Sequence, residues 1–232
     1  MQKTILITGA NRGLGLEFSR QYAEAGWRVI AACRNPSAAH ELQVLAEEYA
    51  GLQIEALEVT DFAQIDALSQ KLAEESIDVL LNNAGVFGDA QGHDFGHLDY
   101  QQWTKTLTIN TMAPVKMAEA FLPQLESGQN KLIASVSSLM GSIADNTSGG
   151  SLLYRSSKAG LNAVMKSLAL DLRPRSIGVL ILHPGWVKTD MGGQNAPINA
   201  EESVAGMCKQ IKAFTLEQTG SFIRYDGGIA PW

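Results

Sequence analysis

The sequence predicts a doubly wound α/β fold, in which a mostly parallel sheet of seven strands carries helices on both faces. Seven short apolar runs, rich in β-branched residues, recur along the chain, and longer helical patterns separate them. The runs are almost unbroken hydrophobic stretches, which is typical of parallel strands buried on both faces. Regular alternation of strand and helix over the whole length favours one doubly wound sheet.

The predicted strands are KTILIT (3–8), RVIAA (28–32), LQIEAL (52–57), IDVLLNN (77–83), KLIASV (131–136), IGVLIL (177–182) and GSFIRY (220–225). The seventh run is shorter and more polar than the other six. We therefore expect it to form an edge strand of the sheet.

Apolar stripes at helical spacing fill the intervals between these strands. Behind a Thr60 or Asp61 cap, one helix is predicted by the stripe Phe62, Ile65, Leu68 and Leu72. A second helix is predicted over 152–173, where Pro174 ends it, by the stripe Leu161, Val164, Met165, Leu168 and Leu172.

Two more helices are expected from other signals. Asn35 followed by Pro36 predicts the start of a helix, and Gly51 predicts its end. A long helix is also expected over 101–125.

Composition and charge limit the functions that the chain can have. The 232 residues carry a formal net charge of −6, with 45% hydrophobic and 18% charged residues. A net negative charge argues against a nucleic-acid-binding or anionic-membrane surface. The two cysteines make no disulfide framework, and no apolar run approaches the roughly 18 residues of a membrane span. We therefore expect one cytoplasmic domain over 1–232, with neither nucleic acid nor membrane as a partner.

A glycine-rich turn, TGANRGLG (8–15), separates the first predicted strand from a helix. Gly9, Gly13 and Gly15 stand where a backbone must turn tightly and let a pyrophosphate approach the helix N-terminus. Their spacing, G-x-x-x-G-x-G, differs from the more general G-x-G-x-x-G pattern. A plain structural turn is the alternative, but the position between strand and helix favours dinucleotide binding in a Rossmann-type fold.

The end of the second strand indicates which dinucleotide would bind. An acidic residue there would bind the ribose 2′-hydroxyl of NAD, but this strand ends in Cys33 and Arg34. Arg12, inside the glycine-rich turn, adds a second guanidinium that suits a 2′-phosphate. The alternative is two surface arginines, and the pattern favours NADP(H).

Tyr154 and Lys158 lie four residues apart in a predicted helix, so their side chains share one face. A neighbouring ammonium favours the phenolate and lowers the pKa of a phenol from its usual value near 10. The spacing alone is equally compatible with an ordinary exposed helix.

Five motifs in order resemble the short-chain dehydrogenase/reductase family: TGANRGLG (8–15), NNAG (82–85), a serine after the fifth strand, YRSSK (154–158) and PGWVKTDM (184–191). The resemblance covers essentially the full length. The stretches SSLMGSIADNTSGGS and YDGGIAPW are similar to the branch that contains C-factor-like proteins and sniffer-type carbonyl reductases.

The resemblance implies a role for each matching residue. Tyr154 would be the catalytic acid/base, Lys158 would depress its pKa and hold the nicotinamide ribose, and Ser138 would orient the substrate carbonyl, with Ser137 as the alternative. Asn110 would be the fourth catalytic residue. The implied cofactor-binding residues are Gly9, Asn11, Arg12, Gly13, Leu14, Gly15, Arg34, Glu58, Val59, Asn83, Ala84, Gly85, Tyr154, Lys158, Pro184, Gly185, Val187 and Thr189.

The residues themselves give a second reason to single out Asn110. In a helix its carbonyl would accept a hydrogen bond from residue 114, but Pro114 has no N–H. The free carbonyl could bind a water that extends a proton path from Lys158 to solvent. The alternative is a kinked helix with no role in proton transfer.

Two departures from the family pattern are visible. Glu58–Val59 stands where the family usually has an aspartate, so contact between this longer side chain and adenine is in doubt. The interval between Ser138 and Tyr154 is longer than usual, and ADNTSGG is expected to loop out and reshape one wall of the substrate pocket.

The function expected from these residues is NADPH-dependent reduction of a ketone or aldehyde, with Tyr154 as proton donor. The alternative is an NADP(H)-binding signalling or regulatory protein with vestigial reductase activity. No metal site is expected, since His93, Asp94 and His97 are interpreted as a polar loop. The expected partner is a small carbonyl compound, and the resemblance leaves a homodimer or homotetramer open.

Overall fold

A computed structural model describes residues 2–92 and 94–232 of the chain. Its described residues form a sheet of seven strands: β1 (Thr4–Thr8), β2 (Arg28–Cys33), β3 (Leu52–Ala56), β4 (Val79–Asn82), β5 (Leu132–Val136), β6 (Gly178–His183) and β7 (Ser221–Arg224). The order is β3-β2-β1-β4-β5-β6-β7, and every neighbouring pair is parallel. The predicted fold class is confirmed, and the last strand lies at an edge as expected. The prediction of one domain over 1–232 stays a prediction.

The described helices are α1 (Gly13–Glu24), α2 (His40–Glu48), α3 (Phe62–Lys71), α4 (Tyr100–Leu107), α5 (Ala113–Ala120), α6 (Leu122–Ser127), α7 (Leu152–Leu172) and α8 (Ala200–Ala213). Of the two predicted caps, Thr60 and Asp61, the structure has Asp61, whose carboxylate accepts hydrogen bonds from the amides of Ala63 and Gln64.

Two helix predictions need correction. The segment that begins at Asn35 is a short 3₁₀ turn (Pro36–Ala38) followed by α2. The single helix expected over 101–125 is three helices, with a π-helical turn over Thr108–Met112 between α4 and α5. Pro114 and Pro123 explain these breaks, because a proline cannot donate the backbone hydrogen bond that would continue a helix.

Two hydrophobic cores lie on opposite faces of the sheet. Alternate residues of β1 belong to different cores: Leu6 packs in one, and Ile5 and Ile7 pack in the other. Each of these three side chains is fully buried. This arrangement explains why the strands read as unbroken apolar runs instead of alternating ones.

The strand order reverses between β1 and β4, because the chain builds outward from β1 to β3 and then returns to the other side of β1. In doubly wound sheets, ligands bind outside the carboxyl ends of the strands at such a point. The glycine-rich turn follows β1 here, and NNAG follows β4. Across the described ranges, no helix combines the length and the apolar character that crossing a bilayer requires.

Candidate active site

The glycine-rich turn after β1 is built so closely that side chains would not fit in it. A Cβ atom on Gly15 would lie 2.1 Å from the carbonyl oxygen of Gly9, and one on Gly9 would lie 2.9 Å from the Cα of Ala84. Gly9 and Gly13 also adopt left-handed φ angles of 66° and 54°. No side chain of the preceding residue, Arg12, caps the start of α1. The turn therefore presents open backbone at a helix N-terminus, which suits a phosphate group.

The NNAG segment after β4 holds this turn in place. The side-chain amide of Asn83 donates hydrogen bonds to the carbonyl oxygens of Thr8 (2.9 Å) and Gly9 (3.1 Å). In return, the hydroxyl of Thr8 accepts hydrogen bonds from the backbone amides of Asn83 and Ala84, each at 3.1 Å. The side chain of Asn83 thus shapes the glycine-rich turn.

A cleft of about 230 Å³ runs from this turn to the start of α7. It is lined by sixteen of the eighteen predicted cofactor-binding residues; Gly185 and Val187 are the two exceptions. Gly185 makes a left-handed turn, with φ of 84°, and Val187 is buried and forms a β-bridge with Ile198. These two residues shape the backbone beside the cleft and do not line it.

Charged residues stand at the end of the cleft near β2. Cys33 and Arg34 line the cleft there, with Arg34 exposed. Arg12 forms an ion pair with Asp190 at 2.7 Å, and both side chains are largely exposed, at 65% and 79%. The carboxylate of Glu58 accepts hydrogen bonds from the backbone amide and the hydroxyl of Thr60, which turns it toward its own loop.

Tyr154 lies at the other end of the cleft, near the start of α7, and is buried. Burial raises the pKa of its phenol to about 12, while a hydrogen bond with the side chain of Ser138 acts in the opposite direction. The lowering of this pKa by Lys158 that the sequence predicted is not among the causes of the shift, and burial sets its direction. The phenol therefore carries its proton at neutral pH.

Lys158 lies one turn further along α7, fully buried, with its Nζ 5.8 Å from the centre of the Tyr154 ring. The Nζ donates a hydrogen bond to the carbonyl oxygen of Val136 at 2.9 Å. Burial lowers the pKa of Lys158 to about 8, so the ammonium is the main form at neutral pH. The predicted pairing of Tyr154 and Lys158 on one helix face is present.

The two serines after β5 have different surroundings. Ser137 borders the cleft but is buried, and its hydroxyl is already used in a hydrogen bond that it donates to Asn162 at 2.6 Å. Ser138 is only half-buried, and its side chain lies near enough to Tyr154 to lower the pKa of that phenol. The geometry therefore favours Ser138 over Ser137 as the residue that could meet a substrate.

His183, at the end of β6, supports the turn that carries Ser138. Its Nδ1 accepts a hydrogen bond from the backbone amide of Leu139 at 3.2 Å. Burial, and to a smaller extent the charge of Arg224, lowers the pKa of His183 to about 4. It is therefore neutral at pH 7, as this hydrogen bond requires.

Asn110 is buried within the π-helical turn and lies behind the cleft. Its side chain accepts a hydrogen bond from the amide of Val86 (2.9 Å) and donates to the carbonyl of Val86 (2.8 Å) and to Ser157 (2.9 Å). It thereby ties the segment after β4 to the helix that carries Tyr154 and Lys158.

Two acidic residues near the site were not foreseen from the sequence. Asp190 lines the cleft, and it follows the PGWVKT segment directly, so its place in that motif was the available signal. Asp89 contacts the start of α7 from a loop that is distant in the sequence, and no local sequence pattern indicates this contact. Among the described residues, no cluster of three potential metal ligands is found. His93 lies outside the described residues.

The fold and the cleft define the class of this protein: a Rossmann-type α/β protein with a tyrosine–lysine pair at the end of its cleft. Residues 3–199 match the family model described as short chain dehydrogenase. The chain belongs to the short-chain dehydrogenase/reductase family, which is a family of oxidoreductases.

Individual relatives agree with this assignment. The chain is 43% identical over 166 residues to C-signal of Myxococcus xanthus, which covers 72% of this chain and 99% of that protein. The carbonyl reductase Sniffer of D. melanogaster superposes with a TM-score of 0.93 at 35% identity, covering 100% of both chains. The NADPH-bound carbonyl reductase from chicken fatty liver has a TM-score of 0.92 at 35% identity, covering 100% of this chain and 99% of that one. The predicted resemblance to the C-factor-like and sniffer-type branch is confirmed.

Proposed function

We propose that this protein is an NADPH-dependent carbonyl reductase that acts on a small ketone or aldehyde. The observation that carries the proposal is the position of the Tyr154 hydroxyl. It lies near the side chain of Ser138, which lowers its pKa, and beside the buried Lys158, at the far end of a cleft that begins at the glycine-rich turn.

The residues of the cleft fit NADP(H). A Cβ atom on Gly9 or Gly15 would collide with neighbouring backbone, so these glycines allow the tight turn that presents bare backbone to a pyrophosphate at the start of α1. Arg12 and Arg34 supply positive charge for a 2′-phosphate, and β2 ends without the carboxylate that would favour NAD. When bound, the nicotinamide supplies the hydride that reduces the carbonyl carbon.

The chain's own residues supply the proton and the orientation. Ser138 donates a hydrogen bond to the carbonyl oxygen of the substrate, and Tyr154 gives its phenolic proton to that oxygen as it gains negative charge. Since burial keeps the pKa of Tyr154 at about 12, the phenol is ready in its acid form at neutral pH. The Lys158 ammonium stabilises the phenolate that remains.

Asn110 supports this arrangement from behind the cleft. Its side chain joins the backbone of Val86 to Ser157 of α7, and the π-helical turn beside it reflects the missing amide of Pro114. A water at the Asn110 carbonyl would return a proton from solvent toward Lys158 after each turnover.

The second candidate is an NADP(H)-binding regulatory protein with little reductase activity. The similarity of the chain to a protein named C-signal, from Myxococcus xanthus, supports this candidate. Against it stands the intact set of Asn110, Ser138, Tyr154 and Lys158, because a cofactor sensor would need only the glycine-rich half of the cleft.

The test is NADPH oxidation in the presence of a panel of aldehydes, ketones, diketones and quinones, with the alcohol product identified by mass spectrometry. Reductase function predicts stoichiometric formation of alcohol, faster with NADPH than with NADH. Tight NADPH binding without turnover on any member of the panel would favour the regulatory candidate. Absence of NADPH binding would contradict both.

A further inference from the structure

The helix that carries Tyr154 is capped by a residue from a distant loop. Asp89 lies after β4, and its two carboxylate oxygens accept hydrogen bonds from the backbone amides of Leu153 (3.1 Å) and Tyr154 (2.9 Å). These are amides of the first turn of α7, which have no partner within the helix. The carboxylate also places negative charge at the positive end of a 21-residue helix.

The chain just before α7 explains why a remote cap is needed. Gly149, Gly150 and Ser151 all adopt left-handed φ angles, of 65°, 68° and 47°. Ser151 occupies the position that would ordinarily cap the helix, but its side chain makes no capping hydrogen bond. The start of α7 therefore depends on Asp89, which is 64 residues from Leu153 in the sequence.

The same loop also contacts the ring of Tyr154. Phe87, two residues before Asp89, packs against Tyr154 with the ring centres 5.0 Å apart. The segment 87–89 thus holds Tyr154 at two points, its backbone amide and its aromatic ring. Phe87 and Asp89 also line a second cleft, together with Gly150, Ser151 and Leu152, beside the start of α7.

We propose that Asp89 is a positioning residue for Tyr154, and that it also fixes Phe87 against the Tyr154 ring at the second cleft. It acts through the backbone of α7 and does not touch the reacting atoms. The inference rests on the proposed reductase function. Asp89 does not line the cleft that begins at the glycine-rich turn, so its loss is expected to affect turnover and leave NADPH binding unchanged.

The experiment compares Asp89→Ala and Asp89→Asn with a matched control, Asp94→Asn. Asp94 lies in the same loop with its side chain 85% exposed, and its described ion-pair contact is a 3.8 Å approach to His97. We expect kcat/KM to fall by at least about tenfold in Asp89→Ala, because a small displacement of a catalytic group is costly. An asparagine side chain keeps one acceptor oxygen, so we expect Asp89→Asn to recover part of the loss. The Kd for NADPH should stay within about twofold of wild type in all three variants.

A purely structural role would lower the melting temperature of Asp89→Ala but leave kcat of the folded protein unchanged, and that result would overturn the inference. A second readout needs no turnover. With ¹³C-labelled tyrosine, the Cζ resonance of Tyr154, assigned through Tyr154→Phe, should shift and broaden in Asp89→Ala but not in Asp94→Asn. An unmoved resonance would overturn the inference whether or not the wild type reduces carbonyls, whereas an inactive wild type with a displaced resonance contradicts only the proposed function.

Discussion

The ammonium of Lys158 donates a hydrogen bond to the carbonyl oxygen of Val136, 2.9 Å away, although the side chain is fully buried. Val136 ends β5, and Ser138 follows it two residues later. The contact joins the helix that carries Tyr154 to the strand that leads to Ser138. It places a positive charge where water is excluded, which is costly for folding but useful for a phenol that must give up its proton.

Replacing Lys158 by methionine should stabilise the fold while abolishing turnover. Burial lowers the pKa of Lys158 from 10.5 to about 8, so the charged form costs roughly 3 kcal/mol at neutral pH. Loss of the hydrogen bond to Val136 returns about 1 kcal/mol. The net gain of about 2 kcal/mol should raise Tm by roughly 4 to 8 °C, measured by differential scanning calorimetry.

The stability difference between Lys158→Met and wild type should also depend on pH in a defined direction. Between pH 8 and 10.5 the unfolded chain holds the Lys158 proton more tightly than the folded chain, so wild-type stability should rise with pH in this window. The advantage of Lys158→Met should shrink accordingly. Lys105→Met, at an exposed position of α4, is the control. A lower Tm for Lys158→Met than for wild type at pH 7 would contradict the prediction.

The Arg12–Asp190 ion pair should weaken the binding of NADPH, because the carboxylate of Asp190 competes with phosphate for the Arg12 guanidinium. An exposed pair contributes at most about 1 kcal/mol, so Asp190→Asn should lower the Kd for NADPH by about two- to fivefold. The Kd for NADH, which lacks the 2′-phosphate, should change less. Fluorescence titration with both cofactors measures the difference.

Glu126→Gln provides the matched control for this measurement, since it removes another exposed ion pair, with Arg175, far along the chain from the glycine-rich turn. Equal changes for NADPH and NADH in Asp190→Asn, or weaker binding of NADPH, would exclude competition at the 2′-phosphate.

His183 should make the fold sensitive to acid. Its pKa is lowered from 6.5 to about 4 by burial, with a smaller contribution from Arg224, so the unfolded chain takes up the proton first as pH falls. The stabilising contribution of neutral His183 is therefore fully present above pH 6.5 and is lost progressively as the pH falls toward 4. His183→Asn keeps an acceptor for the amide of Leu139 but does not titrate, and should flatten the fall of Tm over this window. If His183→Asn and the exposed-site control His40→Asn show the same slope as wild type, His183 is not responsible.

Gly15→Ala should weaken cofactor binding, because the added Cβ would lie 2.1 Å from the carbonyl oxygen of Gly9 and 2.5 Å from the Asn83 side-chain amide. The glycine-rich turn must shift to relieve this overlap. Isothermal titration should show an increase of at least about tenfold in the Kd for NADPH, since the pyrophosphate site is formed by backbone. Gly228→Ala is the control, since its Cβ would meet only side-chain atoms of Asp226 and Arg224. Unchanged binding by Gly15→Ala would disprove the assignment of the turn.

Local features of the sequence were enough to predict most of the fold. The unbroken apolar runs indicated strands buried on both faces, and the described structure has two cores on opposite faces of one parallel sheet. Asp61 and the stripe that follows it predicted α3 because a cap and its helix are adjacent in sequence. The prediction of a single long helix over 101–125 was wrong, because Pro114 and Pro123 interrupt the helical hydrogen bonds within the apolar pattern.

The sequence predicted the residues of the candidate site that belong to short motifs, but not the contacts between residues that are far apart in the chain. TGANRGLG and YRSSK placed Gly15 and Tyr154 beside one cleft. The cap that Asp89 provides spans 64 residues to Leu153, and the Arg12–Asp190 pair spans 178 residues, so neither leaves a periodic signal. The pKa of Tyr154 also depends on burial, which the spacing to Lys158 does not report.

The most direct test of the central proposal is a single-turnover measurement of hydride transfer in the NADPH-saturated protein, comparing wild type with Tyr154→Phe on the best carbonyl substrate of the panel. We expect both proteins to bind NADPH with Kd values within about twofold, and the variant to be slower by about 10²- to 10⁴-fold, the usual contribution of a general acid. Hydride transfer in Tyr154→Phe at a rate close to wild type would contradict the role of Tyr154 and, with it, the proposed mechanism.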